Sequence, residues 1–546
     1  MDVQKAFQFY INKILNDIHG MKILLLDAET TGMLSLVYTQ SQLLEKEVYL
    51  VDRIDYHDRR DNMKHLNCIC LVRPTIESLQ ALELEIRNPH YGASIEKLAE
   101  VDEQEVVKEV QEYYADFYAV NNDLFSLNIN RCIGNDPNLW DGNAFQRSVD
   151  GLLALLLSLK KKPTIRYEKS STLAMRLAQE IKFQMDKEQL MFDFRKSDVS
   201  PLLIILDRRN DPITPLLTPW TYQAMVHELI GINNGRVDMT SVPNIKAEMK
   251  EIVLNGEIDS FYKKNMFLNL GDLGANIKEY VLEYQTKTKS SKEIESLSDM
   301  KKFIEEYPEF RKLSGNVSKH VTLVSYLSSI VEERDLLHLS EIEQSIACTD
   351  NRLNDFKNIC SAIENEKIKD DNKVRLVMIY ALRYEKVPNN QLNILIENLQ
   401  KRNIPERKIN WIKGVLDYAT SEVRHTELFS LDNIINKGRS ALKGLQGVEN
   451  IYTQHNPNLS QTLELLIKSK LKENLYPYVE NSQQLKERPQ DIVIYFVNGC
   501  TFEEAKIVSN FNQQMPGIRL ILGGSTIHNT KSFIKDIEDS LNSEML

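Results

Sequence analysis

Apolar positions along the chain alternate between two periods. Phe7, Tyr10, Ile11, Ile14, Leu15 and Ile18 recur at helical spacing, and Gly20 follows as a stop. Ile23 to Leu26 is then a short continuous apolar run ending at Asp27, which predicts a buried strand. Leu34 to Glu45 reads as a helix, Val48 to Val51 as a second strand and Cys68 to Val72 as a third. Ile76, Leu79, Leu82 and Ile86 mark another helix. An acidic helix carrying Val106, Val107, Val110, Tyr113, Tyr114 and Phe117 follows, and Phe125 to Ile129 is expected to close the first sheet. Strands alternating with helices predict a parallel, doubly wound arrangement.

The pattern restarts near Gly134, with a helix at 145–159 and a strand at 163–167. The stretch from Pro201 to Ile232 gives strand, loop and helix in turn: an apolar run to Leu206, Asp207, breaks at Pro212 and Pro215, then Thr218-Pro219 as a helix start and Gly231 as its end. From about 249 to 484 the spacing is mainly helical, as in Leu392, Leu395, Ile396 and Leu399, or Val321, Val324, Leu327 and Val331. Thr286 to Ser291 is a polar loop, and a helix is expected to stop or kink at Pro308. Near the C-terminus come two more β–α pieces, Ile492 to Val497 and Leu520 to Leu522, with Thr501 and Glu504 as a capping box after the first. Two strands cannot fold alone, so they are expected to join the sheet holding Leu202 to Leu206.

Composition narrows the classes. The 546 residues suffice for several domains, and the formal charge of −11 argues against a partner with a phosphate backbone. Six cysteines occur without a CxxC pair, and Cys68 and Cys70 share one face of their strand, as free thiols of a reducing compartment would. No apolar run is long enough to span a bilayer, and Met1-Asp-Val-Gln-Lys does not read as a signal peptide.

Three stretches could carry chemistry. Asp207-Arg-Arg-Asn-Asp211 is either a carboxylate site at a strand's C-terminal end or a salt-bridged turn. Asp27-Ala-Glu29-Thr-Thr-Gly resembles the first motif of DEDD exonucleases, in which Asp27 and Glu29 would hold metal ions. No second acidic motif follows it. Leu522-Gly-Gly-Ser-Thr526 resembles a phosphate-cradling turn but lacks P-loop spacing. No histidine pair stands at metal-ligand spacing, so no metal, cofactor or catalytic residue is expected.

ILDRRNDPITPLLTPWTYQAMVHELIGI (205–232) resembles the signature of the SM family, the Sec/Munc-type syntaxin-binding proteins. The likeness extends to 102–106, 124–128, 375–382, 447–455, 471–478, 488–491 and 522–533, most similar to the endosomal and trans-Golgi branch. It implies an arch of two parallel-sheet α/β domains, with a large mainly helical domain inserted in the second. Its parts are expected at 1–133, 134–248, 249–484 and 485–546. It also implies a non-enzymatic syntaxin-binding SNARE regulator for trans-Golgi, endosomal and vacuolar transport.

The same resemblance implies a cytoplasmic monomer, peripheral on membranes through syntaxin, with Rab effectors as further partners. A syntaxin N-terminal peptide would dock at Phe117, Tyr118, Ala119, Leu127 and Ile129. A central cavity would use Asp27, Thr30, Thr31 and Met33, faced by a hairpin hinged at Pro308. Family members carry a strand where Arg87 to Ser94 has no apolar run. Either the first sheet is a strand smaller here, or the sequence is a spliced or imperfect version.

Overall fold

The computed structural model describes residues 1–56, 63, 65–87, 109–134, 138–195, 198–243, 245, 247–279, 318–419, 452–479 and 487–542. Mixed α/β structure and many helices make up these residues. None of the helices among them is long and apolar enough to cross a membrane.

A first sheet of three parallel strands has the order β2 (Val48–Arg53), β1 (Lys22–Leu26), β3 (Asn67–Leu71). β1 lies in the middle and is buried at every position, which is why it reads as an unbroken apolar run. Helix α1 (Val3–Asp17) precedes this sheet and buries Phe7, Ile11, Ile14 and Leu15. The helix expected at 34–45 is two short ones, α2 (Ala28–Ser35) and α3 (Gln40–Glu45). Each begins with its own capping box, at Asp27/Thr30 and Thr39/Gln42, and these local hydrogen bonds override one continuous period. Helix α4 (Ile76–Arg87) follows β3. The strand questioned between 87 and 101, the acidic residues 101–108, the loop at 286–291 and Pro308 lie outside the described residues. Residues 109–116, expected to be helical, are not.

The second sheet has six strands in the order β4 (Tyr118–Asn121), β5 (Leu124–Ser126), β12 (Arg519–Gly524), β10 (Asp491–Val497), β7 (Leu202–Asp207), β6 (Thr164–Tyr167). All neighbours are parallel except β4 and β5. The two C-terminal strands thus join β7, as expected. The strand at 125–129 is a correction: it is β5, and it pairs Leu124, Phe125 and Ser126 with Leu522, Gly523 and Gly524 instead of closing the first sheet. The reason is steric and local. A side chain at Gly523 would fall 2.1 Å from the Phe125 ring, so the bare glycine backbone gives that ring its seat. Phe125 also stacks on Tyr495 at 6.3 Å. Leu522 to Gly524 is therefore strand and packing surface, not a phosphate cradle.

Helices α5 (Gly142–Ser158) and α6 (Thr172–Lys187) pack on one another beside this sheet. Next come α7 (Tyr222–Leu229), a two-stranded pair β8 (Arg236–Asp238) and β9 (Glu251–Val253), and α8 (Ser260–Asn265). Helical segments at 270–279 and 318–333 are followed by α9 (Leu336–Cys348), α10 (Arg352–Glu364), α11 (Asp370–Tyr384), α12 (Leu392–Lys401) and α13 (Glu406–Tyr418). Helix α11 is the core of this group, with Val374 and every residue from Leu376 to Leu382 fully buried. A helix apolar on all sides belongs at a centre, not on a surface. Helix α14 (Asn458–Ile467) precedes the second sheet's last strands. α15 (Phe502–Gln514) and α16 (Thr530–Asn542) complete the chain, with a short pair β11 (Cys500–Thr501) and β13 (Ile527–His528) beside them.

The loop after β7 holds these parts together and is the salt-bridged turn, not a carboxylate site. Arg209 binds Asp207 at 2.8 Å, and Asp207 also accepts from Ser171 Oγ at 2.6 Å. Burial raises the Asp207 carboxyl, but the Arg209 guanidinium and the hydrogen bonds from Ser171 and the Arg209 backbone together outweigh it and hold the group below its usual range. Arg208, with no exposure, donates to both oxygens of Glu504, to Gly499 O and to Asp211 O. Glu504 also completes the expected capping box with Thr501. Asp211 accepts from Thr214 and from the Asn458 backbone N–H at 3.1 Å, which caps α14 from a distant part of the chain.

One expected feature fails here. Thr218 does not cap α7, which starts after Thr221. Its N–H and hydroxyl donate instead to Glu343 on α9, at 2.7 and 3.1 Å, and Arg375 on α11 closes the group at 2.5 Å from Glu343. A buried carboxylate needing donors outcompetes the local cap. Gly231, at φ +109°, does end α7, donating to Val226 O at 2.9 Å.

Gly523→Ala should lower stability by about 1–3 kcal/mol, the usual cost of overpacking a core, read as a shifted denaturant midpoint. A wild-type midpoint in Gly523→Ala would show that Phe125 has room to move. Acid should also weaken the fold through His528. Burial first, and the Arg208 charge second, push its imidazole down to about 3, whereas the unfolded chain protonates near 6.5. Between those values the unfolded state binds more protons. Stability therefore falls as pH drops below about 6.5, by up to about 1.4 kcal/mol per unit from this group. Unfolding curves from pH 7 to 5.5 should show that slope, and His528→Asn should flatten it; an equally steep slope in the variant would exclude His528 as its source.

Candidate functional site

The residues expected to face a central cavity sit where β1 ends. Asp27 caps α2, so geometry commits its carboxylate: Oδ1 accepts from the Thr30 N–H at 2.7 Å and from Thr30 Oγ at 2.9 Å. Oδ2 accepts from the Arg73 N–H at 2.7 Å and from Ser78 Oγ at 2.9 Å. Thr31 donates to Asp27 O at 2.6 Å. Glu29 pairs with Arg73, which reaches Asp116 at 2.8 Å, and Arg147 meets Asp116 at 3.1 Å. Asp27 thus has both oxygens engaged and Glu29 is ion-paired. Among the described residues no group of three or more His, Cys, Asp or Glu side chains could hold a metal ion. The exonuclease alternative on Asp27 and Glu29 has no site.

Asp27, Thr30 and Met33 are buried, and Thr31 is half-buried. Thr30 and Met33 line a cavity of about 910 Å³ between α1, the end of β3, residues 110–116, α5 and the end of α6. Ile11, Ile14, Tyr113, Leu153 and Phe192 supply its apolar wall, and Arg73 and Asp116 stand on it as polar groups. Ile11 and Ile14 read in the sequence as core positions of α1. Helical period alone does not distinguish a face that packs on protein from one that lines a cavity.

The five residues expected to form a peptide pocket are all buried: Phe117 and Ala119 completely, Tyr118, Leu127 and Ile129 nearly so. They do not themselves make an open pocket. Phe117 meets Phe7 edge-on at 5.9 Å and Phe125 at 6.5 Å. Ala119 pairs with Phe125 across the β4–β5 hairpin. Leu127 and Ile129 donate their N–H groups to Gly524 and Ser525. Burial pushes the Tyr118 phenol up to about 12. The physical reason is the strand correction above. Joining the larger sheet places this hairpin beneath α1, where alternate side chains fill both faces. Phe117 stands one ring behind the 910 Å³ cavity, through Phe7 on its wall.

Cys68 and Cys70 share one face as expected, their sulfurs 3.8 Å apart, and all six cysteines are free thiols. Pro308 and its hairpin lie outside the described residues.

Comparison with known proteins draws on the whole length. A family model described as the Sec1 family matches residues 22–536. The vacuolar protein sorting-associated protein 45 of Rattus norvegicus is 49% identical, over 98% of this chain and 96% of its own. That of Schizosaccharomyces pombe is 44% identical, over 98% and 99%. The solved structure "SM Protein Vps45 in Complex with Qa SNARE Tlg2" aligns with a TM-score of 0.91 at 48% identity, covering 100% of this chain and 99% of that one. The Unc18–syntaxin 1 complex from Monosiga brevicollis aligns with a TM-score of 0.78 at 18% identity, covering 98% and 99%, a likeness of fold alone. With family match, identity and fold agreeing from end to end, the chain belongs to the Sec1 family.

Proposed function

We propose that this chain binds a syntaxin-type Qa SNARE of the trans-Golgi and endosomal system and promotes vesicle docking and fusion, with no enzymatic step. One observation carries the reading: a protein 48% identical over the full length, with a TM-score of 0.91, has been solved in complex with the Qa SNARE Tlg2. Relatives named for vacuolar protein sorting support the compartment. The engaged Asp27 carboxylate and the Glu29–Arg73 pair leave no catalytic alternative there. Nothing in the comparisons supports Rab effectors as partners.

In this reading the protein is a cytoplasmic monomer brought to Golgi, endosomal or vacuolar membranes by its SNARE. Its parts form an arch, with the helical portion at 249–484 inserted between two pieces of the second α/β unit and facing the first. The N-terminal peptide of the syntaxin docks against the first unit, its apolar anchors in the cavity walled by Ile11, Ile14, Leu153 and Phe192. Apolar side chains entering a pre-formed cavity suit short-peptide recognition. Phe117 supports that wall from behind through Phe7 and does not touch the peptide.

Titration with a labelled N-terminal peptide of a trans-Golgi-type syntaxin should saturate. Leu153→Arg, at a half-buried wall position, should weaken it at least about tenfold, the loss of a single anchor. Peptide binding undiminished in that variant would place the site elsewhere. If neither the peptide nor the complete cytosolic part of the syntaxin binds the folded protein, the SNARE reading itself fails.

A further inference from the structure

Strand β3 carries two thiols on one face. Cys68 is buried and Cys70 half-buried, and they stand opposite Ile23 and Leu25 of β1 in the parallel register. Their sulfurs are 3.8 Å apart. Cys68 belongs to a small apolar cluster with Ile23, Leu25, Ile54, Leu82 and Ile86, and Cys70 packs against it. A third sulfur meets the same cluster, that of Met63, which packs there from the turn just before β3. In that turn the Leu66 N–H donates to Met63 O at 3.0 Å. The far end of the strand is fixed as well. Leu71 O accepts from Thr30 Oγ at 2.8 Å, and the Arg73 N–H donates to Asp27 at 2.7 Å.

This geometry disfavours a disulfide and suits a shared atom. Residues two apart on a strand have Cα atoms about 6.6 Å apart, at the upper end of what a disulfide tolerates. Their Cβ atoms stand about as far apart, against about 3.8 Å in a disulfide, so β3 would have to buckle to form one. One metal ion needs no such movement. With metal–thiolate bonds of about 2.3 Å it reaches two sulfurs up to about 4.6 Å apart. Among the described residues no group of three or more His, Cys, Asp or Glu side chains could hold a metal ion, so the four ligands that structural zinc takes are not offered here. Two thiolates with a thioether are soft ligands, and soft ligands select Cu(I).

We infer that Cys68 and Cys70, with the Met63 thioether beside them, form a binding site for a soft monovalent metal ion of the Cu(I) class. Binding is a ligand exchange. Each thiol releases its proton to solvent as its sulfur–copper bond forms, and no electron moves. The thioether adds a bond without adding charge, so the occupied site carries a single negative charge. Cys70 also lines the cavity of about 910 Å³, which gives the ion a way in. The site goes beyond the proposed function, since it needs no SNARE. A bound ion ties β3, an end strand of its sheet among the described residues, to the turn that leads into it.

The test is anaerobic titration of the full chain with Cu(I) in competition with the chromophoric chelator bicinchoninate. The wild type should withdraw one equivalent and gain melting temperature as it does so. Cys68→Ser/Cys70→Ser should lose more than about tenfold in affinity and show no thermal gain, and Met63→Leu should keep the ion about tenfold more weakly. Cys348→Ser/Cys360→Ser, at two half-buried thiols elsewhere, should titrate as the wild type does. The metal-free variants should melt as the wild type does; should the double variant fail to fold, Cys70→Ser alone, at the half-buried position, gives the same reading. X-ray absorption of the loaded protein should show only sulfur neighbours, at about 2.3 Å. Unchanged titration in the Cys68 and Cys70 variants would overturn the inference. So would nitrogen or oxygen neighbours around the copper, or Zn(II) bound more tightly than Cu(I).

Discussion

Arg208 has no solvent exposure, and its guanidinium is satisfied by the distant Glu504 carboxylate and Gly499 carbonyl and by the nearby Asp211 carbonyl. It stacks over Phe496 at 4.6 Å, so the cation is enclosed on its face as well as its edges. Burial pulls the Arg208 guanidinium down, and the Glu504 and Asp211 carboxylates outweigh that and raise it above its usual value. Removing either side strands the other in a medium where an unpaired ion costs several kcal/mol. The loop after β7 must therefore find β10, α15 and α14 together or not at all. Thr218, Glu343 and Arg375 repeat this logic at the other end of the stretch and attach α9 and α11. A stretch of about thirty residues thereby determines how two long segments of chain meet.

Much of this was legible where a signal is local. The apolar runs of β1, β7 and β10 gave buried parallel strands, and Thr501/Glu504 gave a helix start. Legibility failed wherever a distant partner decided the outcome. β5 is a three-residue strand whose assignment to a sheet rests on a glycine some four hundred residues later. Thr218-Pro219 carries every mark of a helix start, yet Glu343 takes its donors. The short helices at 28–45 show the reverse case, in which two local caps override an apolar pattern long enough for one helix.

The site followed the same division. Resemblance pointed to Phe117 and its neighbours as a surface, and to Asp27 to Met33 as a cavity wall. In the structure the first set is buried because its hairpin belongs to the larger sheet, and Thr30 and Met33 stand on the wall of a pocket bounded by α1, α5 and the end of α6. Ile11 and Ile14, which line it beside them, carry in the sequence only the helical spacing of α1. Polar residues that looked chemical are the structural ones here, and apolar residues of α1 and α5 line the pocket. That division suits a binding scaffold without turnover, whose buried charges lock the frame.

The most direct test of this account is a double-mutant cycle on the buried pair. Arg208→Met and Glu504→Leu should each cost about 3–5 kcal/mol in denaturant unfolding at pH 7. The double variant should cost less than their sum by more than about 1 kcal/mol, since it leaves no orphaned charge. Single variants within about 0.5 kcal/mol of the wild type would contradict the account, because the loop after β7 would then not be what joins the two halves of the sheet.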